Sequence, residues 1–138
     1  MFNFGSIRVL YMFFIFFIWS FIFPQSEWET YYENKNIQIS YTSQVCNDTR
    51  NGFAFEYYII KVVNKTDKTF VVNFQKSKDE ITKEEDKIAF VLNPNQIIEG
   101  TCEYDPVKLR IFKSENTGKD SDFEYEFALS KIDVVEVY

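Results

Sequence analysis

Histidine is absent from all 138 residues. That removes Ser-His and Cys-His catalysis, together with the commonest ligand for zinc, copper and non-haem iron. Two cysteines, Cys46 and Cys102, cannot by themselves complete a structural zinc site, so no metal centre and no cofactor are expected. Carboxylate chemistry survives, because glycoside hydrolysis needs only a pair of Asp or Glu at a suitable separation. The candidates are Glu56, Glu124 and Glu126. Alternation sets Glu124 and Glu126 opposite Phe123 and Tyr125, where acidic groups form a solvated sheet surface. Glu56 interrupts the face carrying Tyr58, Ile60 and Val62, and an edge or rim position accounts for it equally well. The stretch DSDFE, Asp120 to Glu124, has three carboxylates at alternate positions that could offer oxygen ligands to calcium. An EF-hand loop needs Gly at its sixth position, however, and Tyr125 stands there, so a charged turn is expected. Asn47-Asp48-Thr49 and Asn64-Lys65-Thr66 have the form of glycan acceptors, although Asn and Thr favour turns in any case.

The elements that would position these groups begin after a strongly apolar leader. From Val9 to Phe23 every residue but Ser20 is apolar, and no charge occurs between Arg8 and Glu27. This 15-residue run falls short of the roughly 20 residues that a membrane-crossing helix takes. A basic residue, an apolar run and then Pro24-Gln25-Ser26 follow the order of a secretory signal peptide, which gives a leader of 1–26 and an exported domain of 27–138. The alternative is an uncleaved N-terminal membrane helix, a short span accommodated by local thinning of the bilayer. In either case contact with the membrane is expected only through this segment, and the domain belongs in the periplasm, on the cell surface or outside the cell.

Of the charged residues only Arg8 lies in the leader, so residues 27–138 carry 14 basic against 21 acidic side chains, a balance of −7. Such a surface repels phosphate backbones, and no nucleic acid partner is expected. The 112 residues suffice for one domain with one core. Their dominant period is two, the mark of strands. Ile37, Ile39 and Tyr41 alternate with polar residues. Phe53, Phe55, Tyr57 and Ile59 share a face, as do Phe70, Val72 and Phe74. Further strands are expected around Ile88 to Leu92, Ile97-Ile98, Leu109 to Ile111 and Phe123 to Leu129. Turn residues separate them, including Asn51-Gly52, Asn64 to Lys68, Asn93-Pro94-Asn95 and Asp105-Pro106. About seven short strands indicate an all-β, antiparallel sandwich. The charged stretch from Ser77 to Lys87 is expected to be a solvated loop.

The succession of strand, polar turn and strand in KVVNKTDKTFVVNF, Lys61 to Phe74, resembles the immunoglobulin-like domains of small exported bacterial proteins. The resemblance is topological, spans Ile37 to Tyr138, and implies the fold but no functional residue. The chain departs from true immunoglobulin domains in having no Trp between its cysteines and Gly100 where a corner Tyr would stand. With an export signal, Cys46 and Cys102 are expected to form a disulfide.

Both faces of YYIIKVV, Tyr57 to Val63, are apolar, so something must cover Tyr58, Ile60 and Val62. That cover is either the chain's own Trp28, Tyr31, Tyr32 or a loop, or a protein or glycan partner. The C-terminal VVEVY offers a second partner site if it ends a sheet unpaired. The leading expectation is a non-enzymatic exported binding or structural module, without catalytic residues. The alternatives are the same domain tethered in an envelope complex, and a carboxylate-based hydrolase or an inhibitor of one.

Overall fold

A computed structural model describes residues 27–48, 50–78, 83–115 and 124–138. The expected leader and all of DSDFE except Glu124 lie outside the described residues. Eight strands occur among the described residues: β1 (Glu29–Glu33), β2 (Ile37–Asp48), β3 (Phe53–Asn64), β4 (Thr69–Gln75), β5 (Lys87–Leu92), β6 (Ile97–Glu99), β7 (Arg110–Glu115) and β8 (Ser130–Val137). A short 3-10 turn, Glu84–Asp86, precedes β5 within the charged stretch.

All strand pairs are antiparallel. The first sheet is built on the hairpin of β2 and β3, in register from Ile37↔Asn64 to Asp48↔Phe53. Its turn depends on Asp48, whose carboxylate accepts from the Arg50 and Asn51 backbone N–H groups and the Asn51 amide, and on Gly52 at a φ of 71°. A left-handed residue is needed there, and glycine adopts that conformation without steric cost. β1 adds to the outside of β2. On its other side β3 pairs with two short strands in succession, β6 along Lys61 to Val63 and β7 along Phe55 to Ile59. Between them Ile60 completes the ladder, accepting from Gly100 N–H and donating its N–H to the Leu109 carbonyl. β6 and β7 are therefore halves of one edge, interrupted by an excursion over residues 101–108. Gly100 closes the neck of this excursion: a Cβ there would stand 2.1 Å from the Leu109 carbonyl oxygen.

The second sheet has the order β5-β4-β8. Phe70, Val72, Phe74, Ile88 and Leu92 of this sheet share one buried cluster with Ile37, Ile39, Tyr58, Ile60 and Val62 of the first. Asn64, 2 % exposed, fastens the corner where β3 leaves for β4. Its amide donates to the carbonyls of Lys68 (2.7 Å) and Asn93 (2.8 Å), and its oxygen accepts from the backbone N–H and hydroxyl of Thr66. Both connections between the sheets at this end, β3 to β4 and β5 to β6, are thereby stitched by one side chain.

One strand, β1, was not expected, and one strand expectation needs correction. β1 carries no two-residue alternation strong enough to announce it; it forms because β2 presents an open edge. The last strand is not Phe123 to Leu129. Residues 124–129 lie outside any strand, and the pairing falls on β8, whose register with β4 runs Thr69↔Val137 to Gln75↔Ser130. Phe127, Ala128 and Leu129 are three consecutive buried residues, which a half-buried strand cannot supply because alternate side chains point away. The segment instead packs Phe127 against Tyr41 and Tyr58 and adds Leu129 to the shared core.

Candidate functional site

Tyr58, Ile60 and Val62 are not a surface. They are 9 %, 0 % and 0 % exposed and belong to the central core, closed over by the second sheet. Phe127 stacks on Tyr41 at 3.9 Å and meets the Tyr58 ring edge-on at 5.4 Å, while the Tyr58 hydroxyl donates to the Tyr125 carbonyl. The opposite face of β3 is apolar for a different reason. Ile59, 1 % exposed, and Cys46, 8 % exposed, are buried there outside the main core. Trp28 packs on this side too, with Lys61 Nζ 3.9 Å from its ring centroid.

Cys46 and Cys102 form a disulfide, with Cα atoms 5.4 Å apart. The bridge joins β2 to the 101–108 excursion, so it ties the inserted segment to the sheet from which it departs. Arg110 reinforces it, Nη1 donating to the Cys102 carbonyl at 2.6 Å.

The candidate carboxylates are distributed over ion pairs. Glu56 projects at the end of the inner face, where it accepts from the Ser43 hydroxyl, from Lys113 Nζ at 3.0 Å and from Ser114 Oγ at 3.2 Å. Lys113 also meets Glu124 at 3.1 Å. The Ser43 hydrogen bond, helped by Lys113, overcomes the cost of burial and holds the Glu56 carboxyl below its usual range. Burial works against the Lys113 ammonium, but the two carboxylates outweigh it and raise its pKa. Glu126 makes a separate pair with Lys78 at 2.7 Å, which lowers its pKa. Beside the Glu56 cluster lies an open cleft of about 570 Å³ lined by Glu27, Glu29, Tyr41, Thr42, Ser43, Tyr58 and Lys113. Burial first, then a hydrogen bond with Glu29, pushes the Tyr41 hydroxyl up to about 12. A glycosidase acid must hold its proton near neutral pH, which requires a raised carboxyl pKa. Glu56 is shifted the other way and, with Glu124, flanks Lys113 in a triad that carries one net negative charge.

Neither glycan-acceptor sequence gains support as a site. Asn64 is committed to the corner, and Asn47-Asp48 opens the β2–β3 turn, with Thr49 outside the described residues. Among the described residues no cluster of His, Cys, Asp and Glu is arranged to hold a metal ion.

Sequence reasoning missed a second concavity, of about 280 Å³, formed by Tyr57, Lys76, Tyr104, Asp105, Lys108 and Arg110. Three cations meet there from the end of β4, the 101–108 excursion and the start of β7. The only signal in the sequence was the basic residues Lys108 and Arg110 flanking a strand start, and nothing local announces that Lys76 joins them.

No family model matches the chain, and neither do any curated protein or solved structure.

Proposed function

We propose that this chain is an exported, non-enzymatic binding or structural module, an immunoglobulin-like β-sandwich stapled by Cys46–Cys102. The disulfide is the observation that carries the reading. Such bridges persist in oxidising compartments and are rare where glutathione keeps thiols reduced. Two antiparallel sheets around one core, with an apolar leader preceding them, agree with that reading. The bridge departs from the antibody pattern, since it joins β2 to an insertion of the same sheet rather than linking the two sheets. Glu56, held ionised by Ser43 and Lys113, is unsuited to the proton-donating role that a carboxylate-based hydrolase also needs, which favours a binding or structural role.

Intact mass, with and without reduction and alkylation, on protein from soluble and membrane fractions of the native host tests the proposal. A soluble species beginning near Glu27 that alkylates only after reduction is the expected result. A species retaining Met1 to Ser26 in the membrane fraction would mean a tethered module instead. Free thiols in freshly isolated protein would overturn the exported reading.

A further inference from the structure

We propose that the pocket formed by Lys76, Lys108, Arg110, Tyr57 and Tyr104 binds a small acidic sugar, a single ring bearing a carboxylate or phosphate. The proposal stands on this pocket alone and is independent of where the protein works. The chain as a whole carries −6, yet three cations converge on one concavity, and none of them forms an ion pair among the described residues. The one acid in the lining, Asp105, is committed to the backbone: its oxygens accept from Val107 N–H at 2.9 Å and Leu109 N–H at 2.7 Å. Three cations against the Asp105 carboxylate, with Asp86 also near enough to act on Lys76, leave the concavity net positive, so the arrangement gains when an anion enters.

Two of the three cations, Lys76 and Arg110, are held in place beforehand. Lys76 Nζ donates to the carbonyls of Lys108 at 3.2 Å and Arg110 at 3.3 Å, which leaves one ammonium donor uncommitted. Burial pushes the Lys76 pKa down, a cost that a bound anion would offset. The Arg110 guanidinium lies 5.1 Å from the Tyr57 ring centroid and is anchored by its bond to the Cys102 carbonyl, with its remaining fork of donors suited to a carboxylate or phosphate. Lys108 sits at a φ of 56°, a left-handed conformation uncommon for its type, imposed by the Asp105 turn beneath it. The fixing of Lys76 and Arg110 lowers the entropy lost on binding.

The tyrosines select the kind of anion. Tyr104 is 88 % exposed, and its ring is a large apolar surface beside the cations. A bare ion cannot use it, whereas the C–H face of a sugar ring can. About 280 Å³ is at the small end for ligand pockets, which suits one ring rather than a chain.

The test is titration of the isotope-labelled, oxidised protein followed by amide and side-chain NMR, with D-glucuronate, glucose 6-phosphate, glucose and inorganic phosphate as separate probes. Glucuronate and glucose 6-phosphate should shift signals of Tyr57, Tyr104, Lys108 and Arg110 with a dissociation constant on the order of 1 mM, as expected for so few atoms. Glucose should bind at least about tenfold more weakly, since it lacks the charge-assisted hydrogen bonds. Lys108→Gln and Tyr104→Ala, both at exposed positions, should each weaken glucuronate about threefold to tenfold while leaving the melting temperature unchanged. The proposal is overturned if glucuronate leaves these residues unmoved, or if glucose binds as tightly. It also fails if inorganic phosphate matches glucose 6-phosphate, which would reduce the pocket to a general anion site, or if both well-folded variants bind as the parent does.

Discussion

Reduction of the Cys46–Cys102 bridge should cost about 4 kcal/mol of stability. The cysteines are separated by 56 residues, and in the chain-entropy account the loss of loop-closure entropy from the denatured chain grows as the logarithm of that length, giving about 4 kcal/mol at 25 °C. A domain of this size is stable by about 5–15 kcal/mol in total, so the bridge supplies a substantial share. With a urea slope of about 2 kcal/mol per molar, the unfolding midpoint should fall by about 2 M. The native sheets should survive reduction, because the excursion is also held by Arg110 on the Cys102 carbonyl and by the Asp105 turn. Urea unfolding followed by tyrosine and tryptophan fluorescence, with and without a reductant, measures the difference, and amide spectra of both forms check that the native fold is the same. Comparison of reduced with oxidised protein is preferable to a double alanine variant, which also empties the space around the buried Cys46 sulfur. A difference below about 1 kcal/mol, with amide spectra preserved, would refute the reasoning: the denatured chain would then be no freer without the bridge.

Asn64→Ala should destabilise the domain by about 2–4 kcal/mol, since the Asn64 amide joins both sheet crossings through the Lys68 and Asn93 carbonyls and its loss strips those buried groups of hydrogen bonds; chemical denaturation reads it. Gly100→Ala should cost about 1–3 kcal/mol or more, because its Cβ meets the Leu109 backbone rather than a side chain that can swing aside, and the first amides to lose hydrogen-exchange protection should be those of β6 and β7. Glu56 has its pKa lowered by folding, so its stabilising effect is complete above the ordinary carboxylate value and disappears as pH falls from there through its folded pKa. Glu56→Gln should accordingly flatten the acid side of the stability-against-pH curve, and an unchanged acid limb would contradict the Ser43 and Lys113 contacts.

The period-two pattern of β2, β4 and β5 was legible because one face of each meets water and the other the core, so polarity is written alternately along the chain. The turns at Asn51-Gly52 and Asn93-Pro94-Asn95 were legible for an equally local reason, the backbone angles that Asn, Gly and Pro favour. The cysteine pairing needed only the count, since two cysteines allow a single intramolecular bridge. The position of the last strand was not legible: Phe123 to Leu129 alternates like a strand, but alternation records which side chains prefer burial and not which backbone finds a ladder partner.

For β3 the sequence by itself established that both faces are apolar, and that something must cover each. Only the tertiary structure decided which face is the core, because that depends on where a second sheet, up to dozens of residues away in the chain, comes to rest. It also decided the electrostatics. Glu56 acquires Lys113 from β7, and Lys76 acquires Lys108 and Arg110 from the far side of an excursion, and charges interact through the distance between them in space, to which separation along the chain is no guide.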